Sequence, residues 1–233
     1  QVARYVESAD DTGVFELHLD NTEGPVHDAL VAARVRRRAD LLDGCTQVSD
    51  GVRRFRDDDA TLRRLEDDEH ERVVEAFSGY LETIPPRRRS ERDLFYDLRD
   101  VAGKSGFGIG SAGLPAYNLL VEGHSQALDN DVLLSMKQAN VPAISRVVDT
   151  TRVDDYFEHE GHRTAVSQRA LQVHTDPMLG HTRLDGVGFV VSEVSPYEVD
   201  LDWTGLTEPD EIERVVGLLG RATAKIHCAS DED

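Results

Sequence analysis

The sequence predicts an α+β protein in which antiparallel strands alternate with amphipathic helices. Short apolar segments such as AYNLLV and FVVSEV have the length and residue types of strands. The dipeptides Asp50-Gly51 and Asp185-Gly186 each separate two such segments and are typical of tight hairpin turns. Longer segments near residues 66–83 and 208–228 repeat apolar residues at helical spacing. Together these patterns favour sheets of antiparallel hairpins packed against helices.

The first part of the chain, residues 1–95, is predicted to be mainly helical. FELHLD at 15–20 alternates apolar and polar residues and predicts a short strand, and one helix is expected from about Pro25 to Leu42. The three arginines at 36–38 are interpreted as the solvated face of that helix, with anion binding as the alternative. QVSDGVRRF predicts a hairpin, and a second helix is expected from about Glu66 to Thr83, before a Pro-Pro pair. Its apolar side is expected to consist of Val74, Phe77, Leu81 and Ile84.

The second part, residues 96–200, is expected to hold a sheet. DLRDVAGK, AYNLLVEG and DVLLSMKQ predict three consecutive antiparallel strands within residues 96–138, because their connections are short. A helix from Asp154 to about Val173 follows, and then MLGHTRL and GFVVSEV predict a hairpin. The last part, residues 201–233, is expected to be a helix from Glu208 to Cys228 with an acidic tail. The buried stripe of that helix is predicted to consist of Ile212, Val215, Leu219, Ala222 and Ile226.

The chain is strongly acidic, with 45 Asp and Glu against 26 Lys and Arg and a net charge of −19. This charge excludes nucleic acid and anionic lipid surfaces as expected partners, since both require a basic surface. We interpret it as adaptation to a salt-rich cytoplasm, where short-range screening suppresses self-repulsion. No apolar run reaches the roughly 18 residues of a membrane span and no signal segment opens the chain, so a cytoplasmic protein is expected.

The segment GFGIGSAG has the spacing G-x-G-x-x-G at Gly108, Gly110 and Gly113. In a dinucleotide-binding unit a helix begins at the third glycine, whereas in a kinase-like site the loop joins two antiparallel strands and a lysine stands on the third strand. Here Gly113 is followed by Leu-Pro and a short apolar segment, and the next strand carries Lys137. The pattern favours the kinase-like site, with a dinucleotide-dependent oxidoreductase and a glycine-rich hairpin without ligand as alternatives. Ser111 is expected to donate a hydrogen bond to phosphate.

Lys137 is one of only three lysines in the chain, with Lys104 and Lys225. A sequence that uses arginine almost everywhere else retains this lysine in an apolar strand. A compact ammonium suits a phosphate where a planar guanidinium is bulky, so Lys137 is interpreted as a phosphate ligand. The alternative is a lysine that survived by chance at a strand edge.

Five stretches resemble the family called domain of unknown function 2252, whose members look like circularly permuted kinase-like proteins. The stretches are DVAGKSGFGIGSAG, LLSMKQA, HEGHRTAVSQRALQ, FVVSEV and GRATAKIHCASDED, and the resemblance extends from about Arg34 to the end of the chain. It implies a circularly permuted protein-kinase-like small lobe, an antiparallel sheet plus a helix, with additional helices. It further implies ATP and Mg²⁺ as cofactors, an unknown phosphate acceptor, glycines that cover the nucleotide phosphates, and Lys137 in contact with them.

The resemblance also implies roles for residues outside the loop. Gln168, in the Gln-Arg pair of the helix, stands near the place where kinases have the glutamate partner of the lysine, and Glu160 is the rival for that place. Glu193 ends the hinge strand and is expected at the nucleotide. The sequence departs from the family at Gln138, where an acidic residue is usual, and at Ser192, where a basic residue is usual.

The catalytic segments of the family, an Asp-Ala-His with a following asparagine and an Asp-Phe-Asp, do not occur in residues 1–35. No catalytic residue is therefore identified, and a part of the protein preceding Gln1 is expected to supply the base and the metal ligands. The histidines, including His159, His162 and His181, lack the spacing of zinc ligands and are interpreted as separate surface residues. The sequence thus predicts an ATP-binding phosphotransferase, with a non-catalytic nucleotide-binding or scaffold module as the alternative.

Overall fold

The computed structural model describes residues 16–84, 97–105, 113–172 and 175–228. The protein is α+β, as the sequence predicts. It divides into two compact units, of which the larger comprises residues 38–167 and 175–195. The smaller unit contains the remaining described residues. None of the helices in the described residues is long and apolar enough to cross a membrane.

The larger unit is built on a six-stranded antiparallel sheet with the strand order β3-β4-β5-β6-β8-β7. A separate two-stranded hairpin, β1-β2, precedes it in the chain. The three consecutive antiparallel strands predicted within residues 96–138 are confirmed as β4, β5 and β6. The strands are Thr46–Ser49 (β1), Val52–Phe55 (β2), Leu62–Arg63 (β3), Leu98–Lys104 (β4), Ala116–Val121 (β5), Val132–Gln138 (β6), Gly180–Leu184 (β7) and Val187–Glu193 (β8).

Both predicted hairpin turns form because their residues tolerate positive φ. Asp50 and Gly51 have φ of 53° and 74°, and Asp185 and Gly186 have φ of 51° and 79°. Two consecutive residues with positive φ make the turn that matches the twist of antiparallel strands. These two dipeptides therefore set the register of β1-β2 and of β7-β8.

The helices are Gly24–Arg34 (α1), Arg38–Cys45 (α2), Asp67–Thr83 (α3), Thr151–Tyr156 (α4), Glu160–Leu171 (α5) and Pro209–Cys228 (α6). Helix α3 covers one face of the six-stranded sheet, which we call the helix face. Its Val73, Phe77 and Tyr80 are buried against strand residues such as Leu134 and Val191.

The opposite face, which we call the hairpin face, carries a smaller core. Leu42 of α2 and Phe55 of β2 pack there against Leu120 of β5 and Leu133 of β6. Successive side chains of a strand point to opposite faces. Met136 belongs to the core of the helix face, so its two neighbours in β6 lie on the hairpin face.

Helix α3 also protects the edge strand β7. The hydroxyl of Tyr80 donates to the carbonyl of Met178 (2.7 Å), and the hydroxyl of Thr182 donates to the carbonyl of Ala76 (2.7 Å). The Thr83 hydroxyl oxygen accepts the N–H of His181 (3.0 Å) and lies 3.2 Å from its carbonyl. An edge strand normally exposes such groups as a template for another chain. Here the Thr83 side chain of the helix satisfies the N–H of His181.

Several sequence predictions are wrong in detail. FELHLD forms no strand in its described part, because Asn21 accepts the N–H of His18 and donates to the carbonyl of Glu16 in a 3-10 turn. The segment 25–42 is two helices, since α1 ends in a short turn in which the N–H of Arg36 bonds the carbonyl of Ala33. The segment 154–173 is also two helices, α4 and α5.

The buried stripes of two helices differ from the predicted ones. In α3 the buried positions are Val73, Ala76, Phe77 and Tyr80, whereas Val74 and Leu81 are only half-buried. Phe77 and Ile84 are buried as predicted, while Tyr80 takes a core position that was not predicted because its hydroxyl donates to a carbonyl. In α6, Val215 is buried as predicted. Ile212, Leu219 and Ile226 of α6 are 40–42% exposed, contrary to the prediction.

Candidate functional site

The glycine segment connects β4 to β5 at one end of the six-stranded sheet. Gly108, Gly110 and Ser111 lie outside the described residues. Gly113 has a φ of +81°, a backbone conformation that glycine adopts without strain. The chain then enters strand β5 at Ala116, so the helix that a dinucleotide-binding unit requires after the third glycine does not form.

Lys137 stands near the end of β6, beside the point where the glycine segment re-enters the sheet. Its direct neighbours are Ala116 on β5 and Val190 on β8. Because it follows Met136, whose side chain is in the helix-face core, Lys137 lies on the hairpin face. Its side chain is exposed.

A second lysine lies at the same end of the same face. Lys104 is the last residue of β4, and its neighbour Gly103 pairs with Tyr117 of β5. Lys104 therefore lies beside Ala116 of β5, and Lys137 of β6 lies on the other side of Ala116. Neighbouring strands are about 4.8 Å apart, which places the two lysine backbones roughly 10 Å from each other. The ammonium of Lys104 donates to the hydroxyl of Thr61 at 3.0 Å. Two of the three lysines of the chain thus flank the exit and entry of the glycine segment.

Three neutral polar residues form a row on the hairpin face, one step further from the glycine segment. Asn118 pairs directly with Ser135, and Ser135 pairs directly with Ser192. Asn118 is 5% and Ser135 7% exposed. Within the described part of the chain, neither the Asn118 amide nor the Ser135 hydroxyl forms a hydrogen bond. We call Asn118, Ser135 and Ser192 the polar row.

The polar row was not predicted as a site, although the sequence contains a signal for it. Asn118 interrupts the apolar strand AYNLLV, and Ser135 interrupts LLSM. Polar residues inside buried strands are uncommon unless they are hydrogen-bonded. Their alignment across three neighbouring strands depends on register, which the single segments do not reveal.

Glu193, expected at the nucleotide from the family resemblance, ends β8 and is engaged by protein groups. Its carboxylate Oε1 lies 2.8 Å from a guanidinium nitrogen of Arg38, at the start of α2. Its N–H donates to the carboxylate of Asp176 at 2.7 Å, and the other oxygen of Asp176 accepts the N–H of Met178. Arg38 is therefore an ion-pair partner in the structure, and the interpretation of all three arginines at 36–38 as a solvated face is wrong for this residue.

Glu160 and Gln168, the two candidates for the partner of Lys137, both lie on α5. The carboxylate of Glu160 pairs with the guanidinium of Arg163 at 2.5 Å, one turn further along the same helix. Arg163 also donates to the carbonyl of Asn140, directly after β6. Gln168 is exposed. Glu160 is thus bound within α5 in this structure.

The start of α5 packs closely on β8. A side chain at Gly161 would come within 2.3 Å of the Phe189 carbonyl, and one at Gly188 within 2.5 Å of the His159 ring. Glycine is required at both positions, because any Cβ there collides with its neighbour. These contacts place the first turn of α5 beside the strand next to Lys137.

A cleft of about 630 Å³ lies beside Gly113, towards the helix face. Its polar lining includes Arg63, which pairs with Glu69 at 2.8 Å, and Tyr117, whose hydroxyl donates to Glu69 at 3.1 Å. Burial, together with Glu69, raises the pKa of Tyr117 to about 12, and the hydrogen bond from Arg63 lowers the pKa of Glu69. These groups satisfy one another and hold the end of the sheet to α3.

A second cleft, of about 790 Å³, lies beside β7 and is lined in part by His159 and His181. The rings of His162 and His181 stack at 4.6 Å, and those of His159 and His181 meet edge-on at 5.1 Å. The three histidines therefore form a cluster, contrary to the prediction that they are separate surface residues. Burial lowers the pKa of His159.

The hydrogen bonds of this cluster disfavour metal binding. Nδ1 of His159 accepts the N–H of His162, and Nδ1 of His162 accepts the N–H of Glu158. A neutral imidazole that accepts at Nδ1 carries its proton on Nε2, which then has no lone pair for a metal. No group of three or more His, Cys, Asp or Glu in the described residues is placed to hold a metal ion.

The family model described as uncharacterized protein conserved in bacteria (DUF2252) matches residues 2–233 of the chain. No curated protein and no solved structure matches it. The match covers both compact units and all the elements described above.

Proposed function

For this chain, which belongs to the DUF2252 family, we propose an ATP-binding, kinase-like function with phosphoryl transfer to an acceptor of unknown identity. The proposal assigns the hairpin face, between the glycine segment and the end of β8, to the nucleotide. Lys137 binds its phosphates, and the glycine segment covers them.

The observation that carries the proposal is the position of Lys137 relative to the glycine segment. Lys137 lies on the third of three consecutive antiparallel strands, directly opposite Ala116 of the second strand. Ala116 follows Gly113 by three residues. In kinase-like sites the loop covers the phosphates and the lysine of the third strand contacts them. An ammonium at this place forms charge-assisted hydrogen bonds with phosphate oxygens, which are stronger than bonds between neutral groups.

The chemistry of such a site is mainly positioning and charge stabilisation. The described residues offer no metal cluster, so the proposal assigns no Mg²⁺ ligand to them. Mg²⁺ is commonly held by substrate phosphates with only one or two carboxylates, and it neutralises phosphate charge. The role of this chain in the proposal is to bind and orient the nucleotide.

Ligand-induced stabilisation of the purified protein tests the proposal. Mg-ATP at about 100 times its dissociation constant stabilises a protein by roughly 2.7 kcal/mol. For a chain of this size the melting temperature is then expected to rise by about 5–10 °C. Lys137→Met keeps an unbranched side chain of similar volume but removes its charge, and we expect the shift to fall to half or less.

The matched control is Arg54→Met, which also removes one positive charge but from an exposed position on β2. Its shift with Mg-ATP is expected to equal that of the wild type. Equal shifts in the wild type and in Lys137→Met would exclude Lys137 as the phosphate ligand, and no shift in the wild type would contradict nucleotide binding.

A non-catalytic nucleotide-binding or scaffold module is the second candidate, because the catalytic segments expected from the family resemblance do not occur in residues 1–35. The two functions differ in turnover. Incubation with radiolabelled Mg-ATP distinguishes them: release of labelled phosphate or ADP supports phosphoryl transfer, and unchanged ATP bound to the protein supports the module.

A further inference from the structure

We propose that the polar row recognises the nucleobase of the bound nucleotide by hydrogen bonds, so that the site selects nucleotides over simple polyphosphates. This inference rests on the proposed function, because it takes Lys137 as the position of the phosphates. It adds a residue-level determinant of specificity: Asn118 and Ser135 act on the part of the ligand that Lys137 does not contact.

The position of the row fits the remainder of a nucleotide. Ser135 precedes Lys137 by two residues on β6, so both side chains lie on the hairpin face about 7 Å apart along the strand. Asn118 and Ser192 flank Ser135 on the neighbouring strands. A ligand whose phosphates lie at Lys137 and whose long axis follows β6 brings its ring system over this row.

The polar atoms of Asn118 and Ser135 are open to a ligand, because they form no hydrogen bond with the described residues and are not among the fully buried polar atoms that lack a partner. The next pair along the same two strands, Leu120 and Leu133, is apolar and packs into the core. Leucine or alanine would satisfy the same environment at Asn118 and Ser135 without an unpaired group. Polar side chains at these positions gain their partners when a ligand with hydrogen-bonding groups is present.

The chemistry of the row also specifies the class of ligand group. A carboxamide offers both a donor and an acceptor, and a hydroxyl can act as either. The row carries no charged side chain, so it complements a neutral ring with donors and acceptors along its edge, as a nucleobase has. A site built to hydrogen-bond its ligand strongly rejects an analogue that lacks those groups.

Comparison of Mg-ATP with Mg-tripolyphosphate isolates the contribution of the nucleoside, whose base is the part that the proposal places over the polar row. Dissociation constants are measured by isothermal titration calorimetry for the wild type, Asn118→Leu and Ser135→Ala. We expect the wild type to bind ATP at least about tenfold more tightly than tripolyphosphate. Both variants should lose most of this preference while their affinity for tripolyphosphate stays unchanged.

Ser78→Ala serves as control, since its hydroxyl bonds only to the carbonyl of Val74 in its own helix. Its preference for ATP is expected to equal that of the wild type. Ser135→Ala removes one oxygen atom and keeps the test valid if Asn118→Leu does not fold.

Two results would overturn the inference while leaving phosphate binding intact. One is equal affinity of the wild type for ATP and tripolyphosphate, and the other is an unchanged preference in both variants. If neither ligand binds to the wild type, the proposed function fails and the inference fails with it. Loss of tripolyphosphate binding in Lys137→Met, together with its retention in Ser135→Ala, distinguishes phosphate binding at Lys137 from base recognition at the polar row.

Discussion

Nε of Arg53 lies 3.8 Å from Oδ2 of Asp131, and both side chains are 3% exposed. Arg53 belongs to the β1-β2 hairpin, and Asp131 directly precedes β6. Arg53 also donates to Asp43 and to Thr46, each at 2.9 Å. This buried cation therefore attaches the hairpin to the sheet. Burial raises the pKa of Asp131, although Arg53 acts in the opposite direction.

Arg53→Met is predicted to destabilise the protein strongly. It removes the cation that lies 3.8 Å from the buried carboxyl of Asp131, and removal of one partner of a buried pair costs about 3–5 kcal/mol. The free energy of unfolding is measured by urea denaturation. The neighbouring substitution Arg54→Met is exposed and should change it by less than about 0.5 kcal/mol. Similar stabilities of the two variants would contradict the structural role of Arg53.

Thr83→Val is predicted to lower the free energy of unfolding by about 1–3 kcal/mol. The substitution preserves the shape of the side chain but removes the hydroxyl that accepts the N–H of His181 on the edge strand and donates to the carbonyl of Tyr80. Urea denaturation again provides the measurement. Ser78→Ala, which removes an exposed hydroxyl from the same helix, should have little effect, and a neutral Thr83→Val would show that this edge needs no protection.

The histidine cluster predicts a loss of stability in acid. Burial lowers the pKa of His159, with Arg183 and His162 acting in the same direction and Glu158 and Glu160 in the opposite one. The unfolded chain thus binds a proton at its normal pKa near 6.5, before the folded protein does. The contribution of His159 to stability is therefore complete above about pH 6.5 and decreases as the pH falls towards the lower pKa of the folded state.

His159→Asn tests this dependence because asparagine retains an acceptor for the N–H of His162 and does not titrate. Free energies of unfolding are compared at pH 8, 7, 6 and 5. Between pH 7 and 5 the wild type should lose more stability than the variant. If the free energies of unfolding of the two proteins change equally with pH, His159 is not the cause of the loss of stability in acid.

The charge of the chain predicts that salt stabilises the fold. With a net charge of −19, carboxylates repel one another in dilute buffer, and the Debye length falls from about 10 Å at 0.1 M to about 3 Å at 1 M salt. We expect the melting temperature to rise with KCl concentration and the circular dichroism signal to weaken below about 0.5 M. An unchanged spectrum and melting temperature in dilute buffer would contradict the interpretation of the charge as a salt adaptation.

Strands and turns were predicted well where the signal is local. The segments DLRDVAGK, AYNLLVEG and DVLLSMKQ form β4, β5 and β6, and both Asp-Gly dipeptides form the expected turns. Helix α3 was placed correctly, from Asp67 to Thr83, but its buried side was predicted only in part: Phe77 and Ile84 are buried, whereas Val74 and Leu81 are half-buried. Several sets of positions in one helix have suitable spacing, and the carbonyl that receives the Tyr80 hydroxyl is 98 residues away.

The candidate site was predictable only in part for the same reason. Lys137 was identified from its residue type and its place in an apolar strand, which are local properties. The polar row depends on the register of three strands, and the pairing of Arg38 with Glu193 joins residues far apart in the chain. The histidine cluster forms because His181 on β7 meets the rings of His159 and His162.

The sequence by itself determined the α+β class, the hairpin turns and the position of Lys137 on the second strand after the glycine segment. These properties follow from the periods of strand and helix and from the backbone freedom of particular residues, which act over a few neighbours. Only the tertiary structure decided which residues share a sheet face, which carboxylates pair with Arg38 and Arg53, and where α4 ends and α5 begins. Such choices depend on contacts between distant segments, whose burial and hydrogen bonds outweigh local preference.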